Sequence, residues 1–301
     1  MSDIQNPVLA EVLHKEEIKE GYFKLALSNL RKYPLVGISL LVLFSLVFMA
    51  VFAPWVAPFD PYQQDFVKRL QPSGGGHLLG TDAFGRDLLS RIIYGARISL
   101  AVGLMATGLA ALIGTVLGII SAYVGGRFDG IMMGIVDILM AFPMLLFCLL
   151  LVATLGSSLQ NVVLAIGIAM APRFVRLARA PTLSIKEMEY MEAARALGLP
   201  HYRIVFFHVL PNVIGSLIVV ITLQVAAAII AEASISFLGL GVAPPVATWG
   251  NILQEGVGQL RNAPWISIYA GTAIVLAVLS INIVGDALRD IMDPKLKGEK
   301  R

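Results

Sequence analysis

The chain has 301 residues, of which 57% are hydrophobic and 14% are charged. Soluble domains carry about a quarter charged residues, so this composition excludes an ordinary soluble domain and indicates a protein whose solvent is the lipid bilayer. The net charge of +3 is too small to suggest a nucleic-acid partner. The chain has a single cysteine, Cys148, which cannot form an internal disulfide, and its four histidines are too scattered for a metal site.

The N-terminal segment, residues 1–34, is polar and mixed in charge, and it is predicted to be a retained cytoplasmic segment rather than a signal peptide. A charge-free run follows it. The apolar part of this run, residues 35–53, is long enough to cross a ~30 Å hydrocarbon core as the first span. In the polar segment 54–97, Asp87 is a suitable N-cap for an amphipathic helix that lies on the membrane surface.

The second span is predicted at residues 98–126, which carry no charge. The next apolar stretch, which ends at Arg173, is too long for a single helix across the bilayer, because each residue adds ~1.5 Å. Its only polar cluster, residues 156–161, contains Gly, Ser, Gln and Asn and therefore predicts a hairpin turn. The third and fourth spans are then expected at about 131–154 and 161–177.

A polar stretch follows at residues 178–208. Ser184 and Glu187 form an S-x-x-E capping box, which predicts the start of a helix. Glu192 and Arg195 are three residues apart and are expected to pair on the surface of that helix.

The same stretch contains two signals for a sharp change of direction. Gly198 is placed to end the helix with a positive φ, and Pro200 suits the first turn of a second short helix. Two short helices joined at an elbow have a shape that fits the cleft of a partner protein. An ordinary capped surface loop explains the same residues, so both interpretations stay open at this point.

The last two spans are predicted at residues 211–232 and 266–285. Six spans place both termini on one side of the membrane. Lys and Arg are more numerous in the segments that cytoplasmic termini would place inside, so the positive-inside rule predicts that both termini are cytoplasmic. Glu232, one bilayer thickness after Pro211, is then expected at the outer interface.

Three polar residues are predicted within the spans, namely Asp137, Gln224 and Asn282. Polar side chains at membrane depth are candidates for a transport path, but they also cross-link helices by hydrogen bonds. Both roles stay open for each of the three.

Six residues at fixed spacing carry a family resemblance: Glu192, Ala193, Ala194, Gly198, Leu210 and Pro211. Their spacing resembles the EAA loop of binding-protein-dependent ABC importer permeases, with His208 standing where that pattern has Ile. The resemblance implies that this loop forms coupling helices that insert into a groove on a cytoplasmic ATPase. ATP and Mg²⁺ would then be bound by the partner ATPase subunits, and this chain, which lacks a G-x-x-x-x-G-K-[ST] loop, would bind no cofactor.

Residues 79–100 are similar to the GTDxxGRDxxSRxxxGARxSL stretch of the C-type subunits of dipeptide, oligopeptide and nickel permeases. The resemblance implies an all-α, polytopic chain with six transmembrane helices and the type I ABC importer permease fold. It also implies that the chain lies in a bacterial cytoplasmic (inner) membrane. The implied partners are a homologous B-type permease, two ATPase subunits, an extracytoplasmic solute-binding protein and membrane lipid.

The corresponding division of the chain has four parts. They are a cytoplasmic segment (1–34), a first transmembrane helix with an extracytoplasmic segment (35–97), a five-helix transmembrane core that contains the coupling loop 178–208 (98–290), and a cytoplasmic tail (291–301).

The function expected from this resemblance is a non-catalytic permease subunit that forms half of a path for di/oligopeptides. Nickel or glutathione-like solutes are alternative cargoes. A passive channel or secondary transporter is a rival of another class, but it would leave the loop pattern without a role. An intramembrane enzyme would need a nucleophile–base or metal pair, and Asp129 and Asp137 have no such context.

Overall fold

The computed structural model describes residues 34–292, which form helices and turns with two isolated β-bridges. The helices are α1 Pro34–Val51, α2 Ala53–Val56, α3 Leu88–Val124, α4 Gly126–Ala141, α5 Met144–Leu155, α6 Leu159–Lys186, α7 Glu189–Ala196, α8 His201–Ile204, α9 Leu210–Phe237, α10 Trp249–Val257 and α11 Pro264–Met292. A π-helical turn, Val205–Val209, joins α8 to α9. The predicted cytoplasmic N-terminal segment, up to residue 33, and the end of the tail lie outside the described residues.

Five of the helical stretches are long and apolar enough to cross a bilayer, namely α1, α3, α6, the stretch from α8 to α9, and α11. The bent pair α4 and α5 is the sixth candidate when the two helices are counted together as one span. The predicted all-α architecture is therefore confirmed, with five candidate spans, or six when this pair is counted as one. The predicted hairpin is also confirmed, because α5 ends at Gly156, which has φ +93°, and Ser158 caps α6.

The third span is not the single helix that the sequence predicted over 131–154. The chain bends by 91° between α4 and α5. The bend lies at Phe142 and Pro143, where Phe142 has an extended backbone (φ −80°, ψ 136°). A residue that precedes proline is pushed out of the α region by the proline ring, so the helix ends there and a new one begins.

The fourth span is longer than predicted, and the capping-box prediction is wrong. Helix α6 continues past residue 177 to Lys186, and both Pro172 and Pro181 lie inside it. Ser184 is within this helix, where its hydroxyl donates to the Ala180 carbonyl oxygen. Proline is tolerated inside membrane helices because neighbouring groups satisfy the backbone carbonyls that it frees.

The predicted surface helix after Asp87 is the beginning of the second span rather than a separate element. Asp87 is the N-cap, as predicted, and its Oδ2 accepts a hydrogen bond from the Ser90 amide at 2.8 Å. The helix then runs for 37 residues without interruption. At 1.5 Å per residue it is about 55 Å long, so it extends well beyond a ~30 Å hydrocarbon core.

Helices α3 and α6 make the most extensive contact among the described elements. Gly114 and Gly118 of α3 lie on this contact, one turn apart. A Cβ at Gly114 would lie 2.4 Å from the Cβ of Phe174, and one at Gly118 would lie 2.4 Å from the Val175 carbonyl oxygen. The absence of a side chain at both positions allows the two backbones to approach, as at the G-x-x-x-G contacts of membrane helices.

Two polar regions lie at opposite ends of α3. We call residues 57–87 together with 239–263 the cap, because they surround the beginning of α3. We call residues 187–209 the elbow, which contains α7 and α8 and lies near the end of α3.

Candidate functional site

The elbow has the shape that the sequence predicted, with a different starting point. Helix α7 begins at Glu189, after Met188, and ends in a Schellman motif. The Gly198 amide donates to the Arg195 carbonyl oxygen at 2.9 Å, and the Leu199 amide donates to the Ala194 carbonyl oxygen at 3.2 Å. Gly198 has φ +72°, as expected from its position in the sequence.

One face of α7 is buried against three long helices. Met191 and Ala194 are 0% and 6% exposed and lie in an apolar cluster. The cluster contains residues from the end of α3, the end of α6 and the beginning of α9: Ile119, Ala178, Ile185, Val213 and Leu217. Burial of this apolar face positions α7 against the ends of all three helices.

Two hydrogen bonds also fasten the elbow. The Arg195 guanidinium donates to the Lys186 carbonyl oxygen at the end of α6, so it does not form the predicted pair with Glu192. The Tyr123 hydroxyl, near the end of α3, lies 2.8 Å from Nδ1 of His201 in α8. Both short helices of the elbow are therefore bonded to a membrane-spanning helix.

The opposite face of the elbow is exposed and mixed in character. Glu192 and Ala193 are exposed on α7. Large apolar side chains stand beside them, since Leu197 is 82% exposed and Tyr202 68% exposed. A surface that combines exposed apolar side chains with an acidic edge is typical of a protein-binding site.

The motif residues after Gly198 lie where the elbow joins the membrane. Leu210 is half-buried against the apolar cluster of the elbow, and Pro211 occupies the first turn of α9. Because the π-helical turn Val205–Val209 runs directly into α9, Pro211 cannot donate the backbone hydrogen bond that another residue would make to that turn.

Two of the three predicted path residues lie beside arginines of α6. The Asp137 carboxylate accepts a hydrogen bond from Arg176. With the amide oxygen of Gln224 turned toward Arg173, that oxygen accepts from Nε at 2.9 Å and from Nη1 at 3.1 Å. Asn282 is half-buried on α11, three residues before Gly285, where a Cβ would lie 2.9 Å from Leu223.

Glu232 is buried rather than placed at an exposed edge of the protein. Its residue surface is 0% exposed. Its carboxyl group accepts hydrogen bonds from Ser99 of α3 at 2.8 Å and from Ser236 of α9 at 2.7 Å. Ser99 also accepts from the Trp249 amide at 3.3 Å, so this carboxyl group links two spans to the cap.

The cap and the first turn of α3 share an ion cluster that sequence reasoning missed. Arg86 donates to Asp82 at 2.6 Å and to Glu255 at 2.8 Å, and Arg91 donates to the same two carboxylates. The side chains of Arg91 and Asp82 are 2% and 0% exposed. Arg86, Arg91 and Asp82 belong to the motif found in the sequence, but nothing there indicates that Glu255 completes their charge balance.

Two family models match the chain. One, described as the binding-protein-dependent transport system inner membrane component, matches residues 114–298, which include α6, the elbow and α9. The chain belongs to this family. The second model, the N-terminal transmembrane domain of oligopeptide transport permease C, matches residues 21–72, so the permease is of the C type.

Several curated proteins are similar to the permease over most of its length. It is 41% identical over 272 residues to the dipeptide transport system permease protein DppC of Alkalihalophilus pseudofirmus, covering 90% of each chain. It is 43% identical over 264 residues to the di/tripeptide transport system permease protein DppC of Pseudomonas aeruginosa, covering 86% of the permease and 87% of that protein. It is 41% identical over 269 residues to the glutathione transport system permease protein GsiD of Pectobacterium atrosepticum, covering 89% of each.

A solved structure shares the fold. A chain of the MetNI methionine ABC transporter, in an inward facing conformation, superimposes with a TM-score of 0.57 at 18% identity. The match covers 68% of the permease and 98% of that chain. The permease is therefore a multi-pass membrane component of the ABC importer type, a class of subunit that is not itself catalytic.

Proposed function

We propose that this permease forms half of the translocation path of an ATP-driven importer for di/oligopeptides. Relatives at 41% and 43% identity are named as dipeptide and di/tripeptide permeases, which supports this class of solute. The similarity to a glutathione permease at 41% identity keeps glutathione-like solutes as an alternative, and nickel is a further alternative from the sequence resemblance.

The observation that carries the proposal is the two-faced helix α7. Its buried face lies in one apolar cluster with the ends of three long helices, and its exposed face carries Glu192 and Ala193. In this proposal the exposed face docks into a groove of a separate ATPase subunit, which binds ATP and Mg²⁺. The proposed coupling residues are Glu192, Ala193, Ala194, Gly198, Leu210 and Pro211.

The proposal also gives the permease an orientation. The elbow lies on the cytoplasmic side of a bacterial inner membrane together with both termini, and the cap lies outside. The cap then faces an extracytoplasmic solute-binding protein, and a homologous B-type permease supplies the other half of the path. In this arrangement residues 35–97 form the accessory first helix and outer segment, and residues 98–290 form the transporting core.

Mechanically, closure of two ATPase subunits on ATP would displace the elbow. Because Met191 and Ala194 share one apolar cluster with residues of α3, α6 and α9, those three helices would move with it. Asp137, Gln224 and Asn282 are proposed to line the path that opens and closes as a result.

The decisive experiment replaces Gly198 in the complete transporter, reconstituted with its ATPases and binding protein. No atom lies within 4 Å of a Cβ at this position, so only the backbone conformation resists a substitution. Valine is strongly disfavoured at φ +72°, whereas asparagine tolerates it. Gly198→Val is expected to abolish solute uptake and its coupling to ATP hydrolysis, and Gly198→Asn is expected to retain both.

Gly215→Val is the matched control, because Gly215 also has open space around it but lies within α9. It is expected to leave coupling intact. The proposal is wrong if Gly198→Val couples transport to ATP hydrolysis as well as the unmodified permease does. Uptake that continues without any ATPase subunit would instead favour a passive channel or secondary transporter.

A further inference from the structure

Three arginines follow one another along α6 at intervals of three residues, and their partners differ. Arg179 donates to both oxygens of Asp129, at 2.8 and 2.6 Å, and Arg176 donates to Asp137. Both carboxylates belong to α4. Arg173 contacts only the neutral amide of Gln224, and among residues 34–292 it has no carboxylate within ion-pair distance. It is therefore the one member of this row whose charge the described chain does not balance.

The depth of Arg173 makes this imbalance informative. It lies 14 residues after Leu159 and 13 before Lys186, which places it about 21 and 20 Å from the two ends of α6. It is thus within the predicted fourth span (161–177), four residues before the elbow end of that span, and its side chain is exposed on the surface of the chain. A guanidinium at this depth is costly to expose to hydrocarbon, so it faces a water-filled space within the assembled transporter.

The hydrogen bonds of Arg173 also leave room for a ligand. Gln224 is 5% exposed and holds the guanidinium through Nε and Nη1. A guanidinium has five N–H donors, so three of them have no acceptor among the described residues. Planar N–H groups on Nη1 and Nη2 are well matched to the two oxygens of a carboxylate.

We propose that Arg173, positioned by Gln224, forms an anion subsite in the translocation path that receives the carboxylate of the transported solute. The identity of the solute as a peptide rests on the proposed function. The water-accessible cation within the fourth span is independent of it. The two parts therefore need separate measurements.

The first measurement tests the cation without any solute. In a Cys148→Ala background, the reporter Ala169→Cys lies one turn before Arg173 on α6. Its reaction with the anionic sulfonatoethyl and the cationic trimethylammonioethyl methanethiosulfonates is followed in right-side-out and inside-out vesicles of the complete transporter. We expect the anionic reagent to react several-fold faster when Arg173 is present, and this preference to disappear in Arg173→Gln. Failure of both reagents to react, or equal preference in the two backgrounds, overturns the subsite.

The second measurement tests the carboxylate. Uptake of radiolabelled alanyl-alanine is measured in cells that depend on this transporter, together with ATP hydrolysis stimulated by the binding protein. Arg173→Gln is expected to lower uptake about tenfold, because the solute loses one charge-assisted hydrogen bond. Stimulated ATP hydrolysis should stay within about twofold of the rate of the unmodified transporter. Arg173→Lys should recover part of the uptake. Arg127→Gln, which removes an exposed cation near the beginning of α4, is the matched control and should have no effect.

The outcomes separate the two proposals. Normal uptake by Arg173→Gln overturns the carboxylate assignment, even if the labelling shows a positive site. If the unmodified transporter imports no alanyl-alanine, the proposed peptide cargo is wrong, and the labelling alone then decides whether the anion subsite exists.

Discussion

Replacement of Gly114 by alanine tests the close packing of α3 against α6. The added Cβ would lie 2.4 Å from the Cβ of Phe174 and 2.6 Å from the Ala171 carbonyl oxygen. Carbon atoms in contact are normally about 3.5–4.0 Å apart, so the two helices must separate by about 1 Å. Overpacking of this kind costs about 1–3 kcal/mol, and we expect Gly114→Ala to lower the free energy of unfolding by that amount.

Gly108→Ala is the matched control for this prediction. Gly108 lies in the same helix, but no atom of the chain is within 4 Å of a Cβ at that position. Alanine is favoured over glycine in a helix by about 1 kcal/mol, so this variant should be as stable as the unmodified permease or more stable. Thermal unfolding of the purified permease in detergent micelles distinguishes the two. Equal melting temperatures for Gly114→Ala and Gly108→Ala would refute the close contact.

Three further predictions concern the cap and the elbow. Arg91→Met should lower the free energy of unfolding by about 3 kcal/mol, because it breaks the buried ion pair with Asp82. The change is measured by thermal denaturation. An unchanged melting temperature would contradict the contribution of the ion cluster to stability. Glu232→Gln should keep its free energy of unfolding to within about 1 kcal/mol. Glu232→Leu should lose about 1–3 kcal/mol, because two buried hydroxyl groups lose their acceptor. Similar melting temperatures for both variants would count against a role of Glu232 as that acceptor. Tyr123→Phe removes the hydrogen bond to His201 and should reduce the amount of solute imported per ATP hydrolysed. This ratio is measured in proteoliposomes. An unchanged ratio would show that the hydrogen bond does not transmit movement.

The number of spans could be predicted from the sequence because charge is costly in hydrocarbon, so charge-free stretches mark the membrane directly. Local sequence signals also gave correct predictions of helix ends, where the local backbone geometry alone determines the conformation. Asp87 caps α3, and Gly198 ends α7 with a positive φ. Each of these depends on residues within one helical turn.

Predictions failed where neighbouring helices decide the local conformation. Pro143 ends a helix, whereas Pro181 lies within one, although each is a proline close to apolar residues. The residue types beside the two prolines do not distinguish these two conformations. The sequence around Ser184 likewise fits both a helix start and a helix interior, and the residue lies in the interior of α6.

The polar sites required pairings over long distances in sequence. Arg91 and Glu255 are 164 residues apart, and Arg176 and Asp137 are 39 residues apart. No periodicity or spacing links such residues, so the sequence provided the candidates Asp137 and Gln224 without their arginine partners. Only the packed helices distinguish Arg173, whose charge is unbalanced, from the neighbouring arginines.

The length of α3 has a mechanical consequence. One continuous helix carries Arg91, which is bonded to the cap, near its beginning and Tyr123, which is bonded to the elbow, near its end. With no break along its ~55 Å, it acts as a lever that contains no joint. A tilt of roughly 5° at one end shifts the other by roughly 5 Å. The neighbouring pair α4 and α5 differs in this respect, because a 91° bend interrupts it.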